Sequence, residues 1–386
     1  MSGDASITVA FERRFGGKPL ICRAPGRINI IGAHADYNEG LVLPTTTALY
    51  TRVAIASRHD QRIRAWSENF GDGAEFDLPT LQRSDNRHWS DYVKAVVSVL
   101  QDTACIKSGF DILINGDLPL GGGLSSSASL ETALGYALIS IGGNEVDRRQ
   151  LALLCQRAEA EFVGARCGIM DQYAISCGAS GHATLLDCRE IRHQDIPLPQ
   201  GMDILVVDTG VKHELAAGGL NERREECEAA VAALQTVLPG IHALRDVTPG
   251  QLENNRELLG ELLFTRSRHI VTELQRVREA ATALAAGDVA RVGALVSESH
   301  ASSRDDYDVS CDELEALVEI LSGCRGCHGA RLVGAGFGGC AIGIFSPPYL
   351  EEAMNTVSAK YGRMLGRAPW MHAVRPSGPV DISLPA

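Results

Sequence analysis

The run Pro119-Leu120-Gly121-Gly122-Gly123-Leu124-Ser125-Ser126-Ser127-Ala128-Ser129 leads out of an apolar stretch through three glycines and offers hydroxyls at the start of a helical pattern. Glycines let backbone approach an anion closely, and the free amides and dipole of a helix N-terminus attract negative charge. A triphosphate is the ligand such a cradle suits. The run is not a Walker loop, because no Gly-Lys-Ser or Gly-Lys-Thr occurs in the chain, and it lacks the glycine spacing of a dinucleotide fingerprint. The same residues also fit a tight turn closed by a serine N-cap.

A carboxylate supplies the second candidate. Leu151 to Val163 has the spacing of an amphipathic helix and runs into Gly164-Ala165-Arg166-Cys167-Gly168-Ile169-Met170-Asp171-Gln172. An Asp in a glycine-flanked turn suits a general base, and equally a C-cap glycine followed by an Asp N-cap. Cys324-Arg325-Gly326-Cys327-His328 has the spacing of a haem-attachment or redox motif. Haem attachment needs an export compartment, and zinc would need a second ligand pair, so two ordinary thiols at a helix end are expected.

These residues need elements to hold them. Leu41 to Leu43, Arg52 to Ala56 and Phe110 to Ile114 read as strands, and Trp89 to Leu100 and Ser127 to Ile141 as helices. Asp203 to Asp208 reads as a buried strand, Asn221 to Ala301 as mostly helical, and Arg331 to Val333 and Cys340 to Phe345 as strands flanking a second glycine-rich loop. The fold class expected is α+β. A loop-rich first half, residues 1–195, meets a helix-rich second, residues 196–386.

The whole chain narrows the partners. With 45% hydrophobic and 22% charged residues it has the composition of a globular protein rather than a disordered one. A net charge of -12 disfavours nucleic acid and anionic membranes, which require a basic footprint. No apolar stretch approaches the ~20 residues that span a bilayer, and no secretory leader opens the sequence, so a cytoplasmic protein with reduced cysteines is expected.

Together the motifs resemble those of the galactokinase branch of the GHMP small-molecule kinases, over nearly the whole chain. Gly26-Arg27-Ile28-Asn29-Ile30-Ile31-Gly32-Ala33-His34-Ala35-Asp36-Tyr37-Asn38-Glu39-Gly40 is similar to the sugar-recognition motif, and the Gly/Ser loop to the ATP motif. Cys167 to Gln172 resembles the segment carrying the catalytic aspartate, and Gly334 to Cys340 the third, glycine-rich motif. Ser299 to Cys311 resembles galactokinases in particular.

The resemblance implies a first domain like ribosomal protein S5 domain 2, a ferredoxin-like second domain, and a site between them. It implies an ATP- and Mg²⁺-dependent sugar 1-kinase, monomeric or homodimeric. Asp171 would be the candidate base, and Arg27 would stabilise the transferring phosphoryl group or the aspartate's charge. Gly121, Gly122, Gly123, Leu124, Ser125, Ser126 and Ser127 would hold ATP, with Ser127 and Glu159 on Mg²⁺. His34, Asp36 and Gly168 match sugar-binding positions.

Two positions depart from the family. Ala33 stands where galactokinases carry a Glu that reaches the C6 hydroxyl, and Leu220, in the segment His213 to Arg224, replaces a sugar-binding Tyr. Each change removes a hydrogen bond worth about 1.5–3 kcal/mol when the partner is charged. The departures point to a sugar that is anionic at C6, like galacturonate, or extended there, like a heptose or octose phosphate of an antibiotic pathway. The alternatives are an ordinary galactokinase using water-mediated contacts and, in another class, a non-catalytic sugar/ATP sensor. An isoprenoid-pathway kinase of the same superfamily is disfavoured by the segments around His34 and Arg304.

Overall fold

The computed structural model describes residues 3–85, 88–101, 106, 108–119, 121–212 and 216–383. Leu120 of the glycine loop and His213, Glu214 and Leu215 lie outside the described residues. The architecture is α+β, built on two sheets.

The first sheet contains β1 (Leu20–Ile31), β2 (Leu41–Ser57), β3 (Arg62–Ser67), β4 (Asp72–Asp77), β5 (Phe110–Gly116), β6 (His182–Asp187) and β7 (Arg192–Pro197). The second contains β8 (Asp203–Lys212), β9 (Cys327–Val333), β10 (Gly338–Phe345) and β11 (Met371–Ala373). A last strand, β12 (Asp381–Ile382), returns to the first sheet. Strand order is β12-β1-β2-β5-β3-β4, with β6 and β7 continuing from the start of β2, and β11-β8-β10-β9 in the second sheet. Only β3 with β5 is parallel among the pairs described.

β2 joins the two short strands read from the sequence into one. Its β-branched run, from Thr45, Thr46 and Thr47 through Thr51, Val53 and Ile55, suits a long pleated ladder. β1 carries Pro25-Gly26 at a break in register with β2, between Pro25 and Arg27. A bulge of this kind bends a strand and re-aims the next side chain, here Arg27.

Helices Ser90–Leu100, Ser126–Ile141 and Arg148–Ala158 cover one face of the first sheet around a core including Val96, Ile112 and Leu134. In the second half, helices Ala216–Gln235, Asp312–Ser322 and Leu350–Leu365 pack with its sheet. A third cluster joins the halves, bringing Ile28, Ile30 and Leu124 against Val277, Val333 and Ile342.

The helix expected from Leu151 to Val163 differs at its end. The α-helix stops at Ala158 and Glu159–Val163 is a π turn, closed by the Gly164 N–H donating to the Glu159 carbonyl at 3.0 Å. The wider ring shifts the turn's side chains, and such turns recur at functional sites. Cys324 ends a helix and Cys327 begins β9; their thiols donate to the Ile320 and Gly329 carbonyls. The ten described cysteines are free. Among the described residues no helix is long and apolar enough to cross a membrane.

Candidate active site

Arg27 and Asp171 meet as a bidentate pair. Nε donates to Asp171 Oδ1 at 2.6 Å and Nη2 to Oδ2 at 2.5 Å, while Nη1 donates to the Gly123 carbonyl at 2.6 Å. The guanidinium is nearly buried, at 4% exposure. Parallel fork-to-carboxylate bonds fix both orientation and distance, so the strand, the glycine loop and the Met170–Cys177 helix are held in one geometry.

Ser125 decides between the two readings of the glycine loop. It precedes the Ser126–Ile141 helix but caps nothing with its side chain; its hydroxyl donates to Asp171 Oδ2 at 2.5 Å. It sits at φ +58°, a conformation costly for a residue with a Cβ and concentrated at functional sites. Asp171 does not act as an N-cap either: it lies in the first turn of its helix, behind Ile169, with its carboxylate on Arg27 and Ser125. Gly164 does close the preceding turn at φ +85°, as a C-cap glycine should.

The glycine loop touches the third motif. A Cβ added to Gly123 (φ +73°) would meet the Val333 carbonyl at 2.8 Å, and one added to Gly334 would meet Gly123 Cα at 3.0 Å. Only glycines permit this approach between the halves. Beside the loop lies a cavity of about 280 Å³, walled by Phe70, Trp89, Tyr92 and Leu130 and floored by Gly121, Ser126 and Ser127. Phe70 and Trp89 lie parallel within 5°, their centroids 6.2 Å apart. This wall was not recognised in the sequence. The signal was faint: aromatic residues far apart in sequence, one read only as the start of a helix.

Glu159 faces Ser127. Gln172 Nε2 donates to its Oε2 at 2.7 Å and to Glu131 Oε2 at 3.1 Å, and the Cys167 thiol also donates to it. Burial and the nearby Asp171 charge push the Glu159 carboxyl up, while hydrogen bonds from Cys167, Ser127 and Gln172 pull it down. Carboxylate and hydroxyl oxygens beside a phosphate cradle are the donors a hard divalent cation takes. Among the described residues no group of three or more His, Cys, Asp or Glu is arranged to hold a metal. The donor set therefore fits Mg²⁺ only as a two-oxygen protein contribution completed by phosphate and water.

Asp36 and Gly168 are in contact. A Cβ on Gly168 would fall 2.2 Å from Asp36 Oδ2, so the glycine is what leaves room for the carboxylate. Burial, then the Asp171 charge, pushes the Asp36 carboxyl up to about 6. His34 sits at φ +57°, its Nδ1 2.8 Å from the Tyr37 hydroxyl, which meets the Tyr307 hydroxyl at 2.8 Å. Burial pushes the imidazole down to about 3, keeping it neutral. Its Nε2 lies beside the Ala335 backbone without a well-formed hydrogen bond.

Ala33 is only 3% exposed, and its backbone is tied to a helix of the second half. Leu220 is half-buried near the start of the Ala216–Gln235 helix. That start is bracketed by Gly219, whose added Cβ would meet the Phe337 ring at 2.5 Å, and by Asn221, whose Oδ1 accepts the Arg166 N–H at 3.3 Å. Leu220 thus lies between the third motif and the loop leading to Gly168.

Comparisons agree with this arrangement. Residues 9–57 match the galactokinase galactose-binding signature, residues 91–179 the GHMP kinases N terminal domain, and residues 280–363 the GHMP kinases C terminal family. A protein of Chloroflexus aggregans named Galactokinase is 43% identical over 364 residues, 94% of this chain and 93% of the relative. One of Roseiflexus with the same name is 42% identical, covering 95% of this chain and 94% of its own. The crystal structure of Lactococcus lactis galactokinase complexed with galactose superposes with a TM-score of 0.93 at 34% identity, covering 98% of this chain and 99% of that one.

The contact at Gly168 generates a stability prediction. Gly168→Ala should force Asp36 aside and destabilise the fold by about 1–3 kcal/mol, the usual cost of overpacking. Thermal unfolding measures it; a transition indistinguishable from wild type would mean that Asp36 has room to move.

Proposed function

Because the chain belongs to the galactokinase family of GHMP kinases, and is a kinase that transfers phosphate to a sugar, we propose that its acceptor is galactose, phosphorylated at the anomeric hydroxyl with ATP as donor. The observation that carries the chemistry is the Asp171 carboxylate. Oδ2 takes two donors, Arg27 Nη2 and Ser125 Oγ, whereas Oδ1 takes Arg27 Nε alone. A carboxylate oxygen has two acceptor sites, so Oδ1 retains one for a sugar hydroxyl.

In this reading Asp171 orients the anomeric hydroxyl and receives its proton. An anomeric hydroxyl is more acidic than an ordinary alcohol, so a weakly basic carboxylate suffices. Arg27 commits three of its five N–H donors to Asp171 and Gly123. That supports a role in fixing the aspartate, with two donors left for phosphate. The amides of Gly121 to Ser127 would cradle the phosphates, Phe70, Trp89 and Tyr92 would receive the adenine, and Ser127 and Glu159 would hold Mg²⁺. ATP supplies the phosphoryl group and Mg²⁺ neutralises its charge when they are bound. Asp36, His34 and Gly168 would face the sugar hydroxyls. A non-catalytic sensor gains no support, since the catalytic pair is fully assembled.

Galactose is favoured over the C6-anionic or C6-extended sugar expected from Ala33 and Leu220. The relatives matched along more than nine-tenths of the chain are named galactokinases. Ala33 is enclosed, so losing a longer side chain there has not opened a solvent-connected extension of the site. We further propose residues 1–195 and 196–386 as two functional halves, with β12 returning to the first. The protein would work in the cytoplasm as a monomer or homodimer on a small-molecule sugar, without nucleic acid or membrane partners.

A sugar panel read by ADP release tests the acceptor. Galactose should exceed galacturonate and C6-extended sugar phosphates in kcat/KM by about tenfold or more, the discrimination one hydrogen bond can supply. A C6-modified sugar ahead of galactose would restore the reading from Ala33 and Leu220. Separately, Asp171→Asn should lower turnover by about 10²–10⁴-fold with ATP affinity unchanged, because the shape stays and the proton acceptor goes. Retention of a tenth of wild-type turnover would remove Asp171 from its role.

A further inference from the structure

Ala33 is held at both backbone poles by one helix. On Arg256–Ala285, His269 and Glu273 are one turn apart and so share a face. Glu273 Oε1 accepts the N–H groups of Gly32 at 2.8 Å and Ala33 at 3.0 Å. His269 Nε2 meets the Ala33 carbonyl at 3.2 Å. Both side chains are wholly buried, and neither takes part in the chemistry described above.

The surroundings keep each group in the form the contact requires. Burial pushes the Glu273 carboxyl up, but Arg276, with Nε 2.7 Å from Oε2, and the Arg331 guanidinium at 3.7 Å outweigh it and leave it at about 2. The Ser299 hydroxyl donates to Oε1 at 2.6 Å, so the carboxylate is saturated. Burial pushes His269 down to about 4, leaving a neutral ring with one N–H. With Ser302 Oγ 2.9 Å from Nδ1, that N–H belongs on Nε2, facing the Ala33 carbonyl.

A buried charged cluster is rarely the cheapest way to fill a core. What this one holds is a turn that would not hold itself: Gly32 at φ +108° and His34 at φ +57° flank Ala33, and Asp36 follows two residues later. We propose that His269 and Glu273 are positioning residues for the acceptor, clamping residues 32–34 so that His34 and Asp36 meet the sugar in a fixed geometry. The clamp rests on the reading of that turn as the sugar turn. It adds that sugar affinity is set from the second half of the chain, through backbone rather than side-chain contact.

Steady-state kinetics on the full chain test it, using the sugar wild type phosphorylates best. His269→Phe keeps a ring against Tyr307, now 4.5 Å away, but removes the N–H. It should raise the sugar KM about tenfold while the ATP KM and kcat stay within about threefold. His269→Gln, whose amide N–H can reach the same carbonyl, should recover most of the loss. Glu273→Gln, keeping an acceptor for the two N–H groups without the charge, should shift the sugar KM in the same direction by less. Equal rises in both KM values, or a lowered melting temperature with an unmoved sugar KM, would overturn the clamp. If His269→Phe does not fold, the His269→Gln and Glu273→Gln values decide by the same criterion. A wild type that phosphorylates no sugar would overturn the sugar reading and the clamp with it.

Discussion

The ion pair between Arg27 and Asp171 is the constraint that the rest of the site obeys. A guanidinium this buried needs a partner of good geometry, and breaking such a pair by removing one member typically costs about 3–5 kcal/mol. To place Arg27, β1 departs from its register with β2 at Pro25-Gly26. To complete the partner, Ser125 adopts a left-handed backbone and gives its hydroxyl to Asp171 instead of to its own helix. These are local costs met by one shared interaction, the pattern expected where strain serves a site.

That interaction also requires the two halves to be fixed relative to each other. The Gly123 carbonyl takes a third bond from Arg27 while the same residue lies against Gly334 of the third motif. Beneath it, Ile28, Ile30 and Leu124 share a core with Val333 and Ile342. On the sugar side, Glu273 and His269 reach from the second half to Gly32 and Ala33. Phosphoryl transfer depends mainly on positioning and charge stabilisation, so a rigid seam between halves is a functional feature.

The motifs were readable in the sequence because each is local: glycines at a turn, serines at a helix start, a carboxylate after a glycine-flanked loop. Their mutual contacts were not. Residues 27 and 171 meet through topology, and nothing in their flanking residues announces the pair. β1 escaped notice because Pro25 and Gly26 interrupt its pattern, the same irregularity that aims Arg27. The π turn at Glu159 was hidden because helical periodicity continues through it to Val163. His269 and Glu273 read as ordinary members of a long polar helix; their partners lie more than two hundred residues away. Ala33 and Leu220 were correctly seen as departures, but their consequence depended on enclosure, which composition and spacing do not reveal.

The central claim is that the fork geometry of Arg27, and not its charge alone, sets the catalytic aspartate. The turnover number of Arg27→Lys tests this most directly. Lysine keeps one positive charge but has no planar fork to span both carboxylate oxygens and the Gly123 carbonyl. The account predicts that kcat falls by about a hundredfold or more in a folded enzyme, as misplacement of a reacting group does. A kcat within about threefold of wild type would contradict it, because charge alone would then suffice.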